Sequence, residues 1–466
     1  MTATIQKTFD AAAIVGEVRQ GFDAGVTRSL QWRDAQLDAM ATMLEDNADK
    51  FAAALNTDLG KASTESWLTE IGFTLSDIAH TRSHLAKWAK PRKASVPVTF
   101  QPGKAKVVPE PKGVVLVIAP WNYPVQLLLS PMVAAIAAGN AIVAKPSELA
   151  PATSAMLSEL CAKYLDTSVI RVVEGAVEES TALLEQPFDH IFFTGGTRVG
   201  KIVMRAAAEH LTPVTLELGG KSPAIVAADA NVEIAGRRLA WGKFVNAGQT
   251  CIAPDYLLVE RGMKEPLLKA IKKSLGEFYG SDPKKSADYG RLVSDDHFDR
   301  IQGLLTGAGS GSVAIGGTTD RTSRFVEPTV LIDSDPESAV MSEEIFGPLL
   351  PVLETDSIDD AIRFVRERPK PLALYVFSED DDTVEKVLAE TSSGGVSVNG
   401  TLLHIGPPEL PFGGIGPSGM GAYHGKTGFE TFSHLKSVYQ KSTRLDLKVL
   451  YPPYTTLKER ILKLVQ

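Results

Sequence analysis

The chain has 466 residues, of which 44% are apolar and 22% charged, and its net charge is −8. The acidic balance argues against a nucleic-acid partner. Two cysteines in a chain of this size cannot form a disulfide framework, which favours a reducing cytoplasm. The length predicts about three domains. Asp10 and Glu17 interrupt the apolar core that a signal peptide would need, so a cytoplasmic protein is predicted.

Hydrophobic periodicity divides the chain into segments of different kinds. Residues 1 to about 90 show the spacing of amphipathic helices, and residues 94–108 alternate as in an extended ribbon. From Gly113 short apolar runs alternate with helical stretches, which predicts a doubly wound α/β sheet. The predicted strands are residues 114–118, 141–144, 169–173 and 190–193, with a helix over residues 153–165.

One apolar segment, residues 124–145, has the composition of a membrane span. Pro131, Gly139 and Asn140 interrupt it, however, and its helical part over residues 125–138 is shorter than the ~20 residues that a bilayer requires. A buried helix followed by a buried strand is therefore predicted.

A second α/β region is predicted from Pro223 to about Gly413. A glycine-rich loop, a strand at residues 437–440 and a separate tail follow. The tail is predicted to end in a helix that Thr455 or Thr456 caps. Its apolar stripe, which must be buried against another surface, consists of Leu457, Ile461 and Leu464.

The stretch of residues 244–256 contains Cys251, one of the two cysteines. Its neighbours are small or polar, among them Gly248 and Thr250, as suits a thiol that a substrate must reach. A catalytic thiol also needs groups that favour the thiolate or accept its proton. The alternative is a core cysteine, because free cysteine is among the most buried residue types.

The fourth predicted strand leads into residues 194–200, which read Thr-Gly-Gly-Thr-Arg-Val-Gly, and then into a helix. Glycines before a helix N-terminus let backbone N–H groups approach a phosphate, and the helix dipole favours its negative charge. The spacing of Gly195, Thr197 and Gly200 is one glycine short of the usual dinucleotide fingerprint. A plain tight turn would explain it equally well.

Lys145, Ser147 and Glu148 follow the second predicted strand, at the edge where open α/β sheets bind ligands. The carboxylate can accept hydrogen bonds from a ribose, and the lysine can reach ribose or phosphate. The structural alternative is that Ser147 caps the following helix.

Three further motifs contain candidate site residues. Asn122 lies between two prolines, which would present its NH₂ group as a rigid donor to an oxyanion; the alternative is a structural turn. Glu217 ends a strand and can activate water as a general base, or be a surface charge. Glu344 and Phe346 pair an acid with an aromatic ring.

The order of these motifs along the chain is specific. It is Trp-Asn, Lys-Pro-Ser-Glu, Phe-Thr-Gly-Gly-Thr, Glu-Leu-Gly-Gly-Lys, Gly-Gln-x-Cys, Glu-Glu-Ile-Phe-Gly-Pro and Pro-Phe-Gly-Gly. From about residue 30 to residue 440 the chain resembles the aldehyde dehydrogenase superfamily. Residues 418–426 and 432–434 resemble its class 3, the fatty and aromatic aldehyde dehydrogenases.

The resemblance implies a role for each catalytic candidate. Cys251 would attack the aldehyde carbon, and Asn122 with the Cys251 N–H would form the oxyanion hole. Glu217 would activate the water that hydrolyses the resulting thioester. The implied cofactor is NAD, with NADP as an alternative, and no metal is expected.

The implied cofactor site divides into three parts. Glu344 would hold the nicotinamide ribose with Phe346 nearby, and Lys145 and Glu148 would contact the adenosine ribose. The full predicted set is Lys145, Ser147, Glu148, Gly195, Gly196, Thr197, Gly200, Glu344 and Phe346. Many relatives have serine in place of Gly196, so here the phosphate contact would be left to backbone amides.

The resemblance also implies a Rossmann-type cofactor domain, an α/β catalytic domain and a small oligomerisation ribbon. The expected bounds are residues 1–93 and 112–218 for the NAD(P)-binding domain, 219–413 for the catalytic domain, 94–111 and 434–444 for the ribbon, and 445–466 for the tail helix. A homodimer without a membrane span is expected. The tail would dock on protein near the substrate entrance, with binding to a membrane surface as the alternative.

The predicted function is NAD(P)-dependent oxidation of a medium- or long-chain aliphatic or aromatic aldehyde to the carboxylic acid. A CoA-acylating enzyme is one alternative, against which Glu217 argues because the acylating branch generally lacks this base. A cofactor-binding protein without turnover is another. The complete set of Cys251, Glu217 and Asn122 argues against it.

Overall fold

The computed structural model describes residues 9–465. The helices are α1 (Ala11–Asp23), α2 (Leu30–Asp46), α3 (Ala48–Leu59), α4 (Ser63–Ser66), α5 (Gly72–Trp88), α6 (Gln126–Ala138), α7 (Pro151–Tyr164), α8 (Val177–Leu184), α9 (Thr197–Glu209), α10 (Val232–Phe244), α11 (Lys264–Tyr279), α12 (Asp295–Thr306), α13 (Ala339–Ser342), α14 (Ile358–Arg366), α15 (Asp381–Glu390), α16 (Gly425–Thr431) and α17 (Thr456–Val465).

Strands occur from Arg92 onwards. They are β1 (Arg92–Ala94), β2 (Gly103–Pro111), β3 (Val114–Ile118), β4 (Ala141–Lys145), β5 (Ile170–Val172), β6 (His190–Thr194), β7 (Val214–Glu217), β8 (Pro223–Val226), β9 (Tyr256–Glu260), β10 (Ser312–Ile315), β11 (Thr319–Asp320), β12 (Phe325–Val326), β13 (Thr329–Ile332), β14 (Leu349–Thr355), β15 (Ala373–Phe377), β16 (Gly395–Val398), β17 (Gly419–Met420) and β18 (Ser433–Lys441).

A six-stranded sheet with the order β17-β7-β6-β3-β4-β5 forms the core of the first half. Its strands are parallel except for β17. The four strands predicted from apolar runs are β3 to β6, which confirms the doubly wound sheet. β17 was missed because two residues in a glycine-rich loop carry no periodic pattern.

The segment with the composition of a membrane span folds as α6 followed by β4. All thirteen residues of α6 are buried, which explains a composition that is apolar on every side. Within residues 9–465 no helix is both long and apolar enough to cross a bilayer.

A seven-stranded sheet with the order β10-β13-β14-β9-β8-β15-β16 forms the core of the second region. β10 is antiparallel to its neighbour, and the other pairs are parallel. This sheet begins at Pro223, as predicted, and the chain enters it directly after β7. Residues that end β7 and residues that precede β9 are thereby brought to the junction of the two sheets.

The predicted ribbon is a separate three-stranded sheet in which β2 lies between β1 and β18. β2 and β18 pair antiparallel over nine residues, from Gly103 opposite Lys441 to Pro111 opposite Ser433. The strand predicted at residues 437–440 is therefore longer than expected. Residues of β18 alternate between polar and apolar too weakly for its full length to be read from periodicity alone.

The tail forms the predicted helix, α17. Thr455 precedes it, and its hydroxyl accepts a hydrogen bond from the Lys458 N–H at 3.4 Å. Leu457 is 68% exposed and Ile461 40% exposed in the single chain, while the side chain of Leu464 lies outside the described residues. The expected burial of this stripe is therefore not provided by the chain itself.

Candidate active site

Cys251 lies in a tight loop between α10 and β9. Residues 246–248 all have positive φ, of 51°, 51° and 76°. A Cβ on Gly248 would lie 2.3 Å from the carbonyl oxygen of Gly347, so this position requires glycine. The sharp turn that results sets Cys251 apart from the helix and the strand on either side.

Gln249 fixes the conformation of this loop. Its side chain donates hydrogen bonds to the carbonyls of Asn246 and Arg291, both at 3.0 Å, and accepts one from the Val293 N–H at 3.0 Å. These bonds are buried or partly buried, where they resist competition from water. These bonds thus anchor the loop that positions Cys251.

Asn122 lies in the loop after β3 and is 2% exposed. Its side-chain Nδ2 donates to the backbone carbonyl of Gln249 at 3.0 Å. Its backbone carbonyl accepts from Asn246 Nδ2 at 2.8 Å and from Lys61 Nζ at 3.2 Å. Lys61 forms a fully buried ion pair with Glu70. Removing one partner of such a pair typically costs about 3–5 kcal/mol, so the pair holds the Asn122 loop firmly.

Lys61 and Glu70 were not singled out from the sequence. Glu70 also accepts a hydrogen bond from the Val125 N–H at 2.8 Å, so one ion pair fixes both sides of the Asn122 turn. Lys61 lies in the short link between α3 and α4, and Glu70 lies in a π-helical turn (Trp67–Ile71) before α5; neither belongs to a recognisable motif. Only the packing of this region against the β3 loop reveals their role.

Glu217 ends β7 and is 2% exposed, so the alternative of a surface charge is wrong. Neither carboxylate oxygen has a hydrogen-bond partner among residues 9–465. Burial raises the pKa of Glu217 well above its ordinary value. A buried carboxyl with unoccupied oxygens is suited to exchange a proton with a water or a thiol beside it.

Cys251 is half-buried. Burial raises the pKa of its thiol to about 12, and the carboxylates of Glu344 and Glu217 add to the shift. The surroundings therefore disfavour the thiolate. Of the two ways to activate a thiol, removal of its proton by a neighbouring group is the one that this site supports.

A cleft opens on Cys251 and brings together residues from separate motifs. The predicted residues that line it are Asn122, Gly195, Gly196, Glu217, Cys251, Glu344 and Phe346. His297 and Arg300 of α12 also line it and were not predicted, because α12 has the pattern of an ordinary surface helix. Motifs that are far apart in the sequence therefore converge on one cleft, as the family resemblance implies.

Glu344 and Phe346 form one wall of the cleft. Burial raises the pKa of Glu344 to about 8, Asp255 adds to the shift and a hydrogen bond from the Gly220 backbone opposes it. The Phe346 ring meets the Trp121 ring edge-on, with centroids 5.3 Å apart. Glu344 Oε1 has no hydrogen-bond partner within the described chain, so it can accept one from a ligand hydroxyl.

Lys145 and Glu148 lie at the end of β4, outside the cleft around Cys251. Lys145 is 1% exposed, its Nζ donates to the Pro146 carbonyl at 2.7 Å and lies 3.9 Å from Glu148 Oε2. Burial lowers the pKa of Lys145, while Glu148 opposes the shift. The two side chains form a partly exposed pair of opposite charge.

The alternative reading of Ser147 as a helix cap is wrong. Its hydroxyl accepts a hydrogen bond from the Leu149 N–H at 3.2 Å, and α7 begins only at Pro151. Asp58 of α3 binds the first free N–H groups of α7, those of residues 152 and 153, at 3.1 and 2.8 Å. A distant carboxylate thus replaces the local serine.

The three glycines around the start of α9 differ in whether a side chain would fit at their positions. A Cβ at Gly195 would meet a phenylalanine ring at 2.6 Å, and one at Gly200 would meet a leucine side chain at 2.8 Å. A Cβ at Gly196 would meet nothing within 4 Å. Helix α9 begins at Thr197 without a side-chain cap, so its first N–H groups remain available to an anion.

An apolar cavity, not predicted from the sequence, reaches Cys251 and Glu217 from another side. Its walls include Leu68, Phe73, Trp241, Ile252, Leu403 and Phe412. These residues come from distant segments, and none stands out in its local sequence. Cys251 therefore lies where a cleft with several polar groups meets a cavity with apolar walls.

Comparisons with known proteins agree with this geometry. Residues 2–438 match the aldehyde dehydrogenase family. The chain is 49% identical over 441 residues to a dimeric, NADP-preferring aldehyde dehydrogenase of Rattus norvegicus, covering 94% of this chain and 97% of that one. It is 46% identical over 449 residues to 4,4'-diaponeurosporen-aldehyde dehydrogenase of Staphylococcus aureus, covering 96% of each.

Solved structures show the same fold. Staphylococcus aureus AldH in its substrate-bound state superposes with a TM-score of 0.95 at 44% identity, covering 98% of this chain and 100% of that one. Indole-3-acetaldehyde dehydrogenase AldA of P. syringae, in complex with NAD⁺ and IAA, superposes with a TM-score of 0.86 at 29% identity, covering 93% and 89%. The chain therefore belongs to the aldehyde dehydrogenase family and is an NAD(P)-dependent enzyme that oxidises an aldehyde to the carboxylic acid.

Proposed function

We propose that the enzyme acts on aldehydes with a long apolar or aromatic tail and that Cys251 is its nucleophile. The observation that carries this proposal is the position of Cys251, at the junction of the cleft and the apolar cavity. An apolar tail would occupy the cavity and bring its aldehyde carbon to the thiol. Burial of each CH₂ group there contributes about 0.8 kcal/mol.

Cys251 begins the reaction by adding its S–H group across the aldehyde C=O bond. The sulfur bonds to the carbon and the oxygen becomes a hydroxyl, which gives a thiohemiacetal. Asn122 uses one N–H for Gln249, which leaves the other for the developing oxyanion, together with the Cys251 N–H. A bound NAD(P)⁺ would supply the hydride acceptor; loss of the hydride from the substrate carbon and of the hydroxyl proton to water would leave a thioester on Cys251.

Glu217 then removes a proton from the water that attacks the thioester. Hydrolysis forms the carboxylic acid and restores the thiol. The unpartnered oxygens and raised pKa of Glu217 support this role. A base placed beside the thiol also favours hydrolysis over transfer of the acyl group to CoA.

The residues of the cleft fit NAD(P). The unpartnered oxygen of Glu344 suits the hydroxyls of the nicotinamide ribose. The open N-terminus of α9 at Thr197 suits the pyrophosphate. Gly196 leaves the approach clear of a side chain, and Gly195 and Gly200 allow the close packing of the turn. Lys145, Ser147 and Glu148 would contact the adenosine ribose. Because Glu148 would repel the 2′-phosphate of NADP and Lys145 would partly offset that charge, NAD is used with moderate preference and NADP is also accepted.

The domain division proposed is residues 1–93 and 112–218 for the cofactor, 219–413 for catalysis, and 94–111 with 434–444 for the ribbon. We further propose a cytoplasmic homodimer. The Rattus norvegicus relative is a dimeric enzyme, which supports this assembly, and so do the exposed Leu457 and Ile461 of α17. The partner subunit would cover that stripe near the mouth of the apolar cavity.

The experiment that tests the function is a panel of aldehydes assayed by NADH or NADPH absorbance, with and without CoA. We expect kcat/KM to rise with chain length from short to long aliphatic aldehydes, and the carboxylic acid to form at the same rate without CoA. A strict requirement for CoA, or equal kcat/KM for short and long aldehydes, would contradict the proposal.

A further inference from the structure

Two histidines of α5 lie outside the residues that line the cleft and the apolar cavity. His80 and His84 are one helical turn apart, and their rings stack with centroids 4.3 Å apart at 28°. Glu409, in the loop after β16, reaches the same place: its Oε1 lies 3.4 Å from His80 Nε2. Ligand atoms of the three side chains all lie within 4.8 Å of one another.

His84 Nδ1 lies 2.9 Å from both the His80 carbonyl oxygen and the Ser83 hydroxyl. The Ser83 hydroxyl donates to the same carbonyl at 2.7 Å, so Nδ1 can carry a proton and donate to either oxygen. Nε2 of His84 then has a lone pair. A ligating histidine characteristically donates its other N–H to a carbonyl or carboxylate in this way.

His80 has an unsatisfied nitrogen. Its Nε2 is inaccessible to water and has no hydrogen-bond partner within residues 9–465. A neutral imidazole is the form that binds metals, and this nitrogen lies 3.4 Å from Glu409 Oε1.

We propose that His80, His84 and Glu409 bind one divalent zinc ion. Two imidazoles and one carboxylate are a common zinc ligand set, with water as the fourth ligand. Bonds of ~2.0–2.1 Å in a tetrahedron place ligand atoms about 3.3 Å apart, close to the 3.4 Å between His80 Nε2 and Glu409 Oε1. Glu409 is 68% exposed, so its side chain can adjust, and the stacked imidazoles turn apart so that both Nε2 lone pairs point at the ion.

An aromatic ring borders the proposed site on one side. The Trp88 ring lies against both, with centroids 5.4 Å from His84 and 5.7 Å from His80. Bound zinc would join α5 to residues 406–411, a loop whose neighbours Ile405 and Phe412 line the apolar cavity. Zinc should therefore reduce the mobility of that loop.

The test is calorimetric titration of Zn²⁺ into the full chain in a Cys251→Ser background. This substitution removes the accessible thiol, which would compete for zinc; Cys161 is buried. We expect one zinc per chain, with affinity at least ~100-fold weaker in His80→Gln/His84→Gln and ~10-fold or more weaker in Glu409→Gln. His434→Gln, an exposed histidine on β18, is the matched control and should bind as the background does.

Two measurements keep the outcome unambiguous. Thermal unfolding without metal shows that the variants fold, and Glu409→Gln, at an exposed side chain, should leave the Tm unchanged. Hydrogen exchange at the N–H groups of Gly406, Glu409 and Leu410, the residues of this loop that are not prolines, should slow on adding Zn²⁺ in the background and in His434→Gln but not in the double variant. Absence of binding at micromolar Zn²⁺, or equal affinity in the double variant and in His434→Gln, would refute the site and leave His80 and Glu409 as an ion pair.

Discussion

The side-chain amide of Asn122 donates a 3.0 Å hydrogen bond to the carbonyl of Gln249, two residues before Cys251. The loop after β3 and the loop that carries the thiol are joined by this bond. Any group that Asn122 presents to a substrate therefore keeps a constant position relative to the sulfur.

Replacing Asn122 by alanine should lower kcat by about 10²–10³-fold, the usual effect of losing one oxyanion donor. Cofactor affinity should be unchanged, because Asn122 has no proposed contact with the cofactor. Steady-state kinetics and a fluorescence titration with NADH measure the two quantities. A kcat within twofold of the wild type would remove Asn122 from the oxyanion hole.

The pH dependence of turnover should report the environment of Glu217. The base acts in its ionised form, and burial raises its pKa, so hydrolysis slows as the pH falls through a value well above that of an ordinary glutamate. Rates of thioester hydrolysis measured across pH should show this acid limb in the wild type. The limb should be absent in Glu217→Gln, and its persistence there would assign it to another group.

Glu148 should contribute to cofactor choice by repelling the 2′-phosphate of NADP, an effect that Lys145 partly offsets at 3.9 Å. Glu148→Gln should raise kcat/KM with NADP by about 3–10-fold and change that with NAD little, since the site is partly exposed and screened. Ratios of kcat/KM for the two cofactors give the answer. No gain with NADP would show that charge at this position does not discriminate.

Deleting residues 455–466 should weaken the dimer or change KM for long-chain aldehydes, without changing cofactor affinity. The reason is the exposed stripe of Leu457 and Ile461 on α17, which needs a covering surface. Sedimentation and kinetics of the truncated chain test this. Leu457→Gln/Ile461→Gln should reproduce the effect and Glu459→Gln, on the exposed helix, should not; an unchanged dimer with unchanged KM would refute the docking.

The sequence was sufficient for the parts of the fold in which local pattern and packing agree. Apolar runs predicted β3 to β6 because both faces of a parallel sheet are covered. The order of the motifs resembled that of one protein family and so predicted that Asn122, Glu217 and Cys251 share an active site. The structure brings the three residues to one cleft. Chemistry concentrated in short motifs is readable because each motif lies in a turn or at the end of a strand or a helix.

Features built from distant residues could not be predicted. The Lys61–Glu70 ion pair that holds the Asn122 turn and the walls of the apolar cavity depend on how helices pack on loops. The alternative that Ser147 caps α7 is wrong for the same reason: Asp58 of α3 accepts the hydrogen bond from the Thr153 N–H at the start of α7. A local pattern cannot show which distant side chain competes for the same N–H groups.

The central claim is that Cys251 carries the acyl group and Glu217 releases it. Its most direct test is rapid mixing of Glu217→Gln with NAD and a long-chain aldehyde, followed by intact mass measurement. We predict a burst of about one NADH per active site, a steady state slower by ~10²-fold or more, and an acyl adduct that Cys251→Ser does not form. Normal steady-state turnover by Glu217→Gln, or the same adduct on Cys251→Ser, would contradict the account.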